Sequence, residues 1–207
     1  TQGGGGRGNA AQHSQSLEMW YVHVPGLVVI QPSTPYDAKG LLAAAIRDND
    51  PVIFFEHKLL YGIEGEVPED NYVIPLGVAD VKREGKDLTI VTMGRMVHFS
   101  LEAAEKLTGD GVDVEVVDLR SLSPMDEDAI LNSVKKTHRL IVVDEDFPRC
   151  NMATDVVALV AGQAFDYLDA PPTMITPPHT PVPFSPVLED AYLPSVDDIV
   201  ATAQSLM

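Results

Sequence analysis

His13 lies in the run Gln12-His13-Ser14-Gln15. An imidazole in a loop, flanked by amides and a hydroxyl, can hold one tautomer and move a proton near neutral pH. Spacing alone favours the plainer reading, a surface or helix-capping histidine. Just upstream, Gly3 to Gly6 and Gly8 invite a phosphate-cradle reading. No strand precedes the run and no Gly-Lys-Ser/Thr follows it, so a flexible or closely packed loop is expected instead. His57 follows Glu56 at the end of an apolar strand, where neighbouring side chains point to opposite faces and do not converge on one atom. Asp144-Glu145-Asp146 after a strand has the look of a magnesium site, but three acids at a strand's end predict a solvated turn. His23 at a helix end suits the dipole and reads as structural. Cys150, the only thiol, stands beside Arg149 and is expected to be inert. A Gly-x-Ser-x-Gly elbow and His-x-x-x-His spacing are both absent, which leaves a hydrolase triad and a helical zinc site unsupported.

These residues sit on an alternation of helices and strands. A Gly-rich loop to residue 12 leads into a helix over Ser14–His23, with Leu17, Trp20, Tyr21 and Val24 at helical spacing. Leu27–Ile30 and Val52–Phe55 read as continuous apolar strands around a helix from Pro35 or Tyr36 to Arg47. Such strands belong to a parallel sheet covered on both faces. Between Lys58 and Pro75 the periodicity fades, as in a linker. The rhythm resumes with strands at Leu88–Thr92, Val112–Asp118, Leu140–Val143 and Met174–Thr176. Helices are expected over Val97–Leu107, from Ser123-Pro124 to Lys136, over Ala153–Ala164 and over Val196–Met207, with Pro177–Pro186 an extended loop. The expected division is 1–57, a linker 58–76, and a self-sufficient α/β region 77–207.

The whole chain has 207 residues, 45% of them apolar, and a net charge of −17. That composition excludes a disordered or collagen-like chain, and no apolar run approaches the roughly 20 residues of a membrane span. One cysteine excludes a disulfide scaffold and points to a reducing compartment, the cytoplasm. The negative field disfavours nucleic acid as a partner. Opening on Thr1-Gln2 and a glycine run, the chain reads as the C-terminal portion of something longer.

Taken in order, Ala10-Ala11-Gln12-His13-Ser14-Gln15, Pro25-Gly26-Leu27-Val28-Val29, Asp37-Ala38-Lys39-Gly40-Leu41-Leu42 and Ala45-Ile46-Arg47-Asp48-Asn49-Asp50-Pro51 resemble one family. Asp118-Leu119-Arg120, Ser123-Pro124-Met125-Asp126, Leu168-Asp169-Ala170-Pro171 and Leu188-Glu189-Asp190 continue the resemblance. The family is the beta subunit of the thiamine-dependent first component of 2-oxoacid dehydrogenase complexes. Phe55 to Tyr61, Gly65 to Glu69, Pro148 to Asp155 and Pro178 to Ser185 are most similar to acetoin dehydrogenase; pyruvate and branched-chain relatives are the alternative. The resemblance implies a transketolase-like α/β fold: part of a pyrimidine-binding domain, then a three-layer C-terminal domain. It implies thiamine diphosphate with Mg²⁺, shared with an alpha subunit that holds the diphosphate and metal. A second beta subunit and a lipoyl acyltransferase are the other implied partners. His13 matches the histidine that assists acyl transfer to the lipoyl disulfide. The backbone carbonyls of Ala45, Ile46, Asp48 and Asp50 match a potassium site. The glutamate that activates the aminopyrimidine, and the residues stacking on it, are expected upstream of Thr1, which would leave this chain alone inactive. Residues 77–207 carry 22 acids against 10 bases, and the resemblance implies docking of this region on a basic part of the acyltransferase. A non-catalytic dimerisation and docking module is the alternative of another class.

Overall fold

Strands that are apolar along their whole length must be covered on both faces, and the second half of the chain arranges its helices to do so. The computed structural model describes all residues, 1–207. The first part carries β1 (Gln2–Gly3), the one-turn α1 (Ala10–His13), α2 (Glu18–Val22), β2 (Val28–Ile30), α3 (Pro35–Arg47), β3 (Val52–Phe54) and β4 (Glu56–His57), then a 3₁₀ turn, Lys58–Gly62. The second part carries β5 (Asp80–Arg83), β6 (Leu88–Thr92), α4 (Met96–Gly109), β7 (Val114–Asp118), β8 (Ser121–Ser123), α5 (Glu127–Thr137) and β9 (Leu140–Val143). It closes with α6 (Met152–Gln163), β10 (Thr173–Ile175), α7 (Pro186–Tyr192) and α8 (Val196–Leu206).

Five strands form the main sheet in the order β10-β9-β6-β7-β5, all parallel except β5, which runs antiparallel to β7. Alternation along each strand sorts its residues between two cores. Val91, Val117 and Val142 face Ile130, Val134, Val156 and Val160 of α5 and α6. Ile90, Val116 and Ile141 face Met96, Ala104 and Leu107 of α4 and Ile199 and Ala203 of α8. α8 starts on a capping box in which Ser195 and Asp198 satisfy each other's backbone amides.

A second sheet joins the two parts. β2 pairs in parallel with β3 on one side and antiparallel with β8 on the other. Val29 and Phe55 also belong to the same buried cluster as Val91, Val117 and Val142. Below this junction lies a buried ionic cluster. Thr34 caps α3 by accepting the Asp37 amide at 3.1 Å, with Pro35 in the first turn. The Asp37 carboxylate, fully buried, meets Lys82 Nζ at 2.7 Å and Arg120 Nη1 at 3.2 Å. Lys82 lies 3.7 Å from Asp118, and Asp118 also accepts from Ser33 Oγ. Burial opposes ionisation of Asp37, yet the bonds from Lys82 and Thr34 hold its carboxyl below the ordinary range. Burial pushes Asp118 up to about 7.

The structure corrects several local expectations. The helix expected over 14–23 is only α2, which begins at Glu18, and a separate turn, α1, forms just upstream where loop was expected and ends before Ser14. Ser121–Ser123 is strand β8 rather than the start of a helix, and α5 begins after the Asp126 cap. The extended Pro-rich loop ends in α7. The segment after the 3₁₀ turn crosses α3 at Gly40, where a Cβ would sit 2.6 Å from Ile74 and 2.7 Å from Tyr72. The Ile74 amide donates to the Gly40 carbonyl at 3.1 Å, so only glycine permits this approach.

Candidate functional site

The Gly-rich loop is closely packed, and two buried carboxylates hold it. Gly5 N–H donates to Glu145 Oε1 at 2.5 Å, and Gly8 N–H donates to Glu189 Oε2 at 2.6 Å. Gly4 has φ +86°, and a Cβ there would fall 2.1 Å from the His57 ring. β1 fixes the loop's start by pairing Gln2 with Glu56 and Gly3 with His57. As expected for strand neighbours, Glu56 and His57 part company. Glu56 accepts from Tyr61 at 2.8 Å, while His57 lies against Glu145 Oε2 at 3.0 Å. Leu59 N–H donates to His57 Nδ1, which puts the ring proton on Nε2, facing Glu145.

The acidic run after β9 is therefore not a solvated turn. Asp144 and Asp146 are buried, and Glu145 reaches back to the first part of the chain. Sequence reasoning missed this because the loop that covers the run is distant in the chain, and its glycines meet the acids through backbone amides, as Gly5 does Glu145. Burial raises Asp144 to about 6, and burial with the neighbouring Asp144 charge raises Asp146 to about 7. Glu18 at the head of α2 packs beside them; burial and the Asp144 charge push its carboxyl well up. Burial would raise Glu145 as well, but the His57 ring and the Gly5 amide hold it below the ordinary range. Nowhere do three His, Cys, Asp or Glu side chains converge to hold a metal ion.

The raised carboxyls have a measurable consequence. The folded chain binds more protons than the unfolded chain between about pH 4 and pH 7, so stability falls as pH rises through that window. Asp37 and Glu145, shifted the other way, withdraw stability as pH falls below about 4. Scanning calorimetry of the full-length protein is expected to give a higher Tm at pH 5 than at pH 8. Asp146→Asn should narrow that difference by raising Tm at pH 8 alone; an equal shift at both pH values would rule out Asp146 as a source.

His13 ends α1 with its side chain exposed. It opens on a groove of about 270 Å³ lined by Gln2, Asn9, Gln12, Gln15, Leu17 and Lys58. Lys58 is buried, and its Nζ donates to the His13 carbonyl. Nothing in the sequence singled Lys58 out; the parallel β1–β4 pairing brings it here. His23 and Cys150 meet in another, larger groove of about 1210 Å³, together with Trp20 and Phe147. Both are exposed.

Ala45, Ile46, Asp48 and Asp50 lie at the exposed end of α3. The last intrahelical bond runs from the Asp48 amide to the Ala44 carbonyl at 3.0 Å. The Asp50 amide turns instead to Asp48 Oδ1 at 2.8 Å, so it does not cap the Ile46 carbonyl.

A five-stranded α/β/α layer is joined through β2 and β8 to a second, partial sheet, and comparison with known proteins shows the family that has this arrangement. The chain belongs to the transketolase family: residues 2–64 match the transketolase pyrimidine-binding domain and residues 77–199 the transketolase C-terminal domain. Among its relatives is the Cupriavidus necator acetoin:2,6-dichlorophenolindophenol oxidoreductase subunit beta, 61% identical over 99% of this chain and 60% of that protein. The Bacillus subtilis pyruvate dehydrogenase E1 component subunit beta is 50% identical over 99% of this chain and 63% of its own length. The 2-oxoisovalerate dehydrogenase subunit beta of Bacillus subtilis is 46% identical over 98% and 63%. The chain thus spans about 60% of the length of the relatives it matches. Its fold is that of a split-gene transketolase in an inactive beta4 tetramer, with TM-score 0.78 and 23% identity over 100% of this chain and 64% of that one. No helix is long and apolar enough to cross a membrane.

Proposed function

We propose that the chain is part of the beta subunit of a thiamine diphosphate-dependent acetoin dehydrogenase that cleaves acetoin and transfers the acetyl unit to lipoamide. The observation that carries this reading is the difference in identity: 61% and 60% to two acetoin-oxidoreductase beta subunits, against 50% and 46% to pyruvate and 2-oxoisovalerate subunits. Bound thiamine diphosphate supplies the carbanion chemistry. This chain supplies His13, exposed at the mouth of an amide-lined groove. When the lipoyl disulfide opens, one sulfur takes the acetyl unit and the other leaves as a thiolate. The His13 imidazolium gives that thiolate its proton.

The side chains in hand do not fit the Mg²⁺-diphosphate end of the cofactor, since no cluster of metal-ligating groups is formed. We assign that end to an alpha subunit, with a second beta subunit and the lipoyl acyltransferase completing the assembly in the cytoplasm. A potassium ion would be held by the carbonyls of Ala45, Ile46, Asp48 and Asp50, supported by the uncapped carbonyl at Ile46. The test of the reading is turnover of the full-length subunit, paired with its alpha partner, on acetoin, pyruvate and 2-oxoisovalerate. Acetoin is expected to give the highest kcat/KM; preference for either oxoacid would move the protein to the corresponding relative's activity.

A further inference from the structure

We propose that Lys58 is a positioning residue for His13, fixing the one-turn helix that presents the imidazole. The inference rests on the reading of His13 given above. α1 is poorly equipped to hold itself: it is four residues long, its Asn9 cap makes no side-chain bond, and Ala10 adopts φ +51°. A single turn of helix is unfavourable in isolation, and a residue with a Cβ is strained at that φ. Something outside the turn must stabilise it.

The end that carries His13 is held by Lys58. The residue is 7% exposed, and its ammonium donates to the His13 carbonyl, at the helix terminus where a cation is favoured. Burial lowers the Lys58 pKa, while the Glu145 and Glu189 charges act to raise it. Those carboxylates also accept the amides of Gly5 and Gly8. One pair of buried acids therefore anchors the loop leading into α1 and favours the charged form of the lysine that fixes its exit. Lys58 itself cannot wander, because it opens the 3₁₀ turn directly after β4, which is paired to β1. The imidazole is thus set from the backbone side, and its ring stays free toward the groove.

The experiment uses the complete enzyme with its alpha partner and compares Lys58→Met, His13→Ala and the double variant. Each is assayed for acetyl transfer to lipoamide and for reduction of the dye dichlorophenolindophenol, with hydrogen exchange read on amides 9–15. Lys58→Met is expected to lower kcat for lipoamide transfer at least tenfold, leave dye reduction within threefold, and loosen amides 9–15. Added to His13→Ala, it should cost nothing further, since coupled residues are non-additive. Full additivity, equal loss in both assays, or unchanged exchange at 9–15 would overturn the proposal. If His13→Ala leaves lipoamide transfer intact, the role given to His13 fails. The exchange result then decides alone whether Lys58 fixes the turn.

Discussion

His13→Ala, made in the complete enzyme, is expected to lower acetyl transfer to lipoamide about 100-fold while dye reduction stays within about threefold. The size follows from the usual worth of a positioned proton donor, roughly 10²–10⁴ in rate. The split follows from chemistry. A dye takes electrons without leaving a thiolate to be protonated, whereas opening a disulfide leaves one. The ring is exposed at the groove and is bonded to nothing that would make it part of the scaffold, as the second task requires. Equal losses in both assays would shift its work to the earlier cofactor chemistry. Full activity in both would return it to an ordinary surface histidine.

The largest effect on stability is expected at Asp37. Removing one partner of a buried ion pair leaves charge without compensation, at about 3–5 kcal/mol. Asp37→Ala strips Lys82 and Arg120 of their one fully buried shared carboxylate, although half-buried Asp80 remains 2.7 Å from Lys82 and 3.6 Å from Arg120, and Asp118 3.7 Å from Lys82. The lower end, about 3 kcal/mol, is therefore expected. For a chain of this size that is a fall in Tm of roughly 6–12 °C. Asp37→Asn, which keeps an acceptor oxygen for either Thr34 or the guanidinium but not for both, should fall between. A wild-type Tm for Asp37→Ala would show that Asp80 and Asp118 together neutralise both cations.

The main sheet was legible because its strands are uniformly apolar and its helices carry helical spacing; Leu88–Thr92, Leu140–Val143 and Pro35–Arg47 stand where the pattern predicts them. β1, β4, β5 and β8 were not. Each is two to four residues long, and each exists through pairing with a strand remote in sequence, so local periodicity carries no trace of it. The same applies to the site. His13 could be suspected from residue type, and family resemblance gave it a role. Lys58 and Glu145 could not, because a buried lysine and a buried acid each look like surface residues until the chain that covers them is in place. Asp146 shows how strongly burial decides: the neighbours that raise its carboxyl to about 7 are visible in sequence, but the loss of water is not.

The seating of β8 beside β2 also orders events during synthesis. A ribosome releases Val28–Ile30 and Val52–Phe54 long before it releases Ser121–Ser123, so the emerging chain must carry β2 with one edge unpaired until β8 has been made. Open strand edges are templates for pairing with other chains, and partly folded intermediates are where such errors occur. The acid-rich composition works against this hazard, since nascent chains that are each strongly negative repel one another. Only when the Asp118-Leu119-Arg120 turn has been made can β8 close that edge, and the Asp37 carboxylate gains its guanidinium from the same few residues.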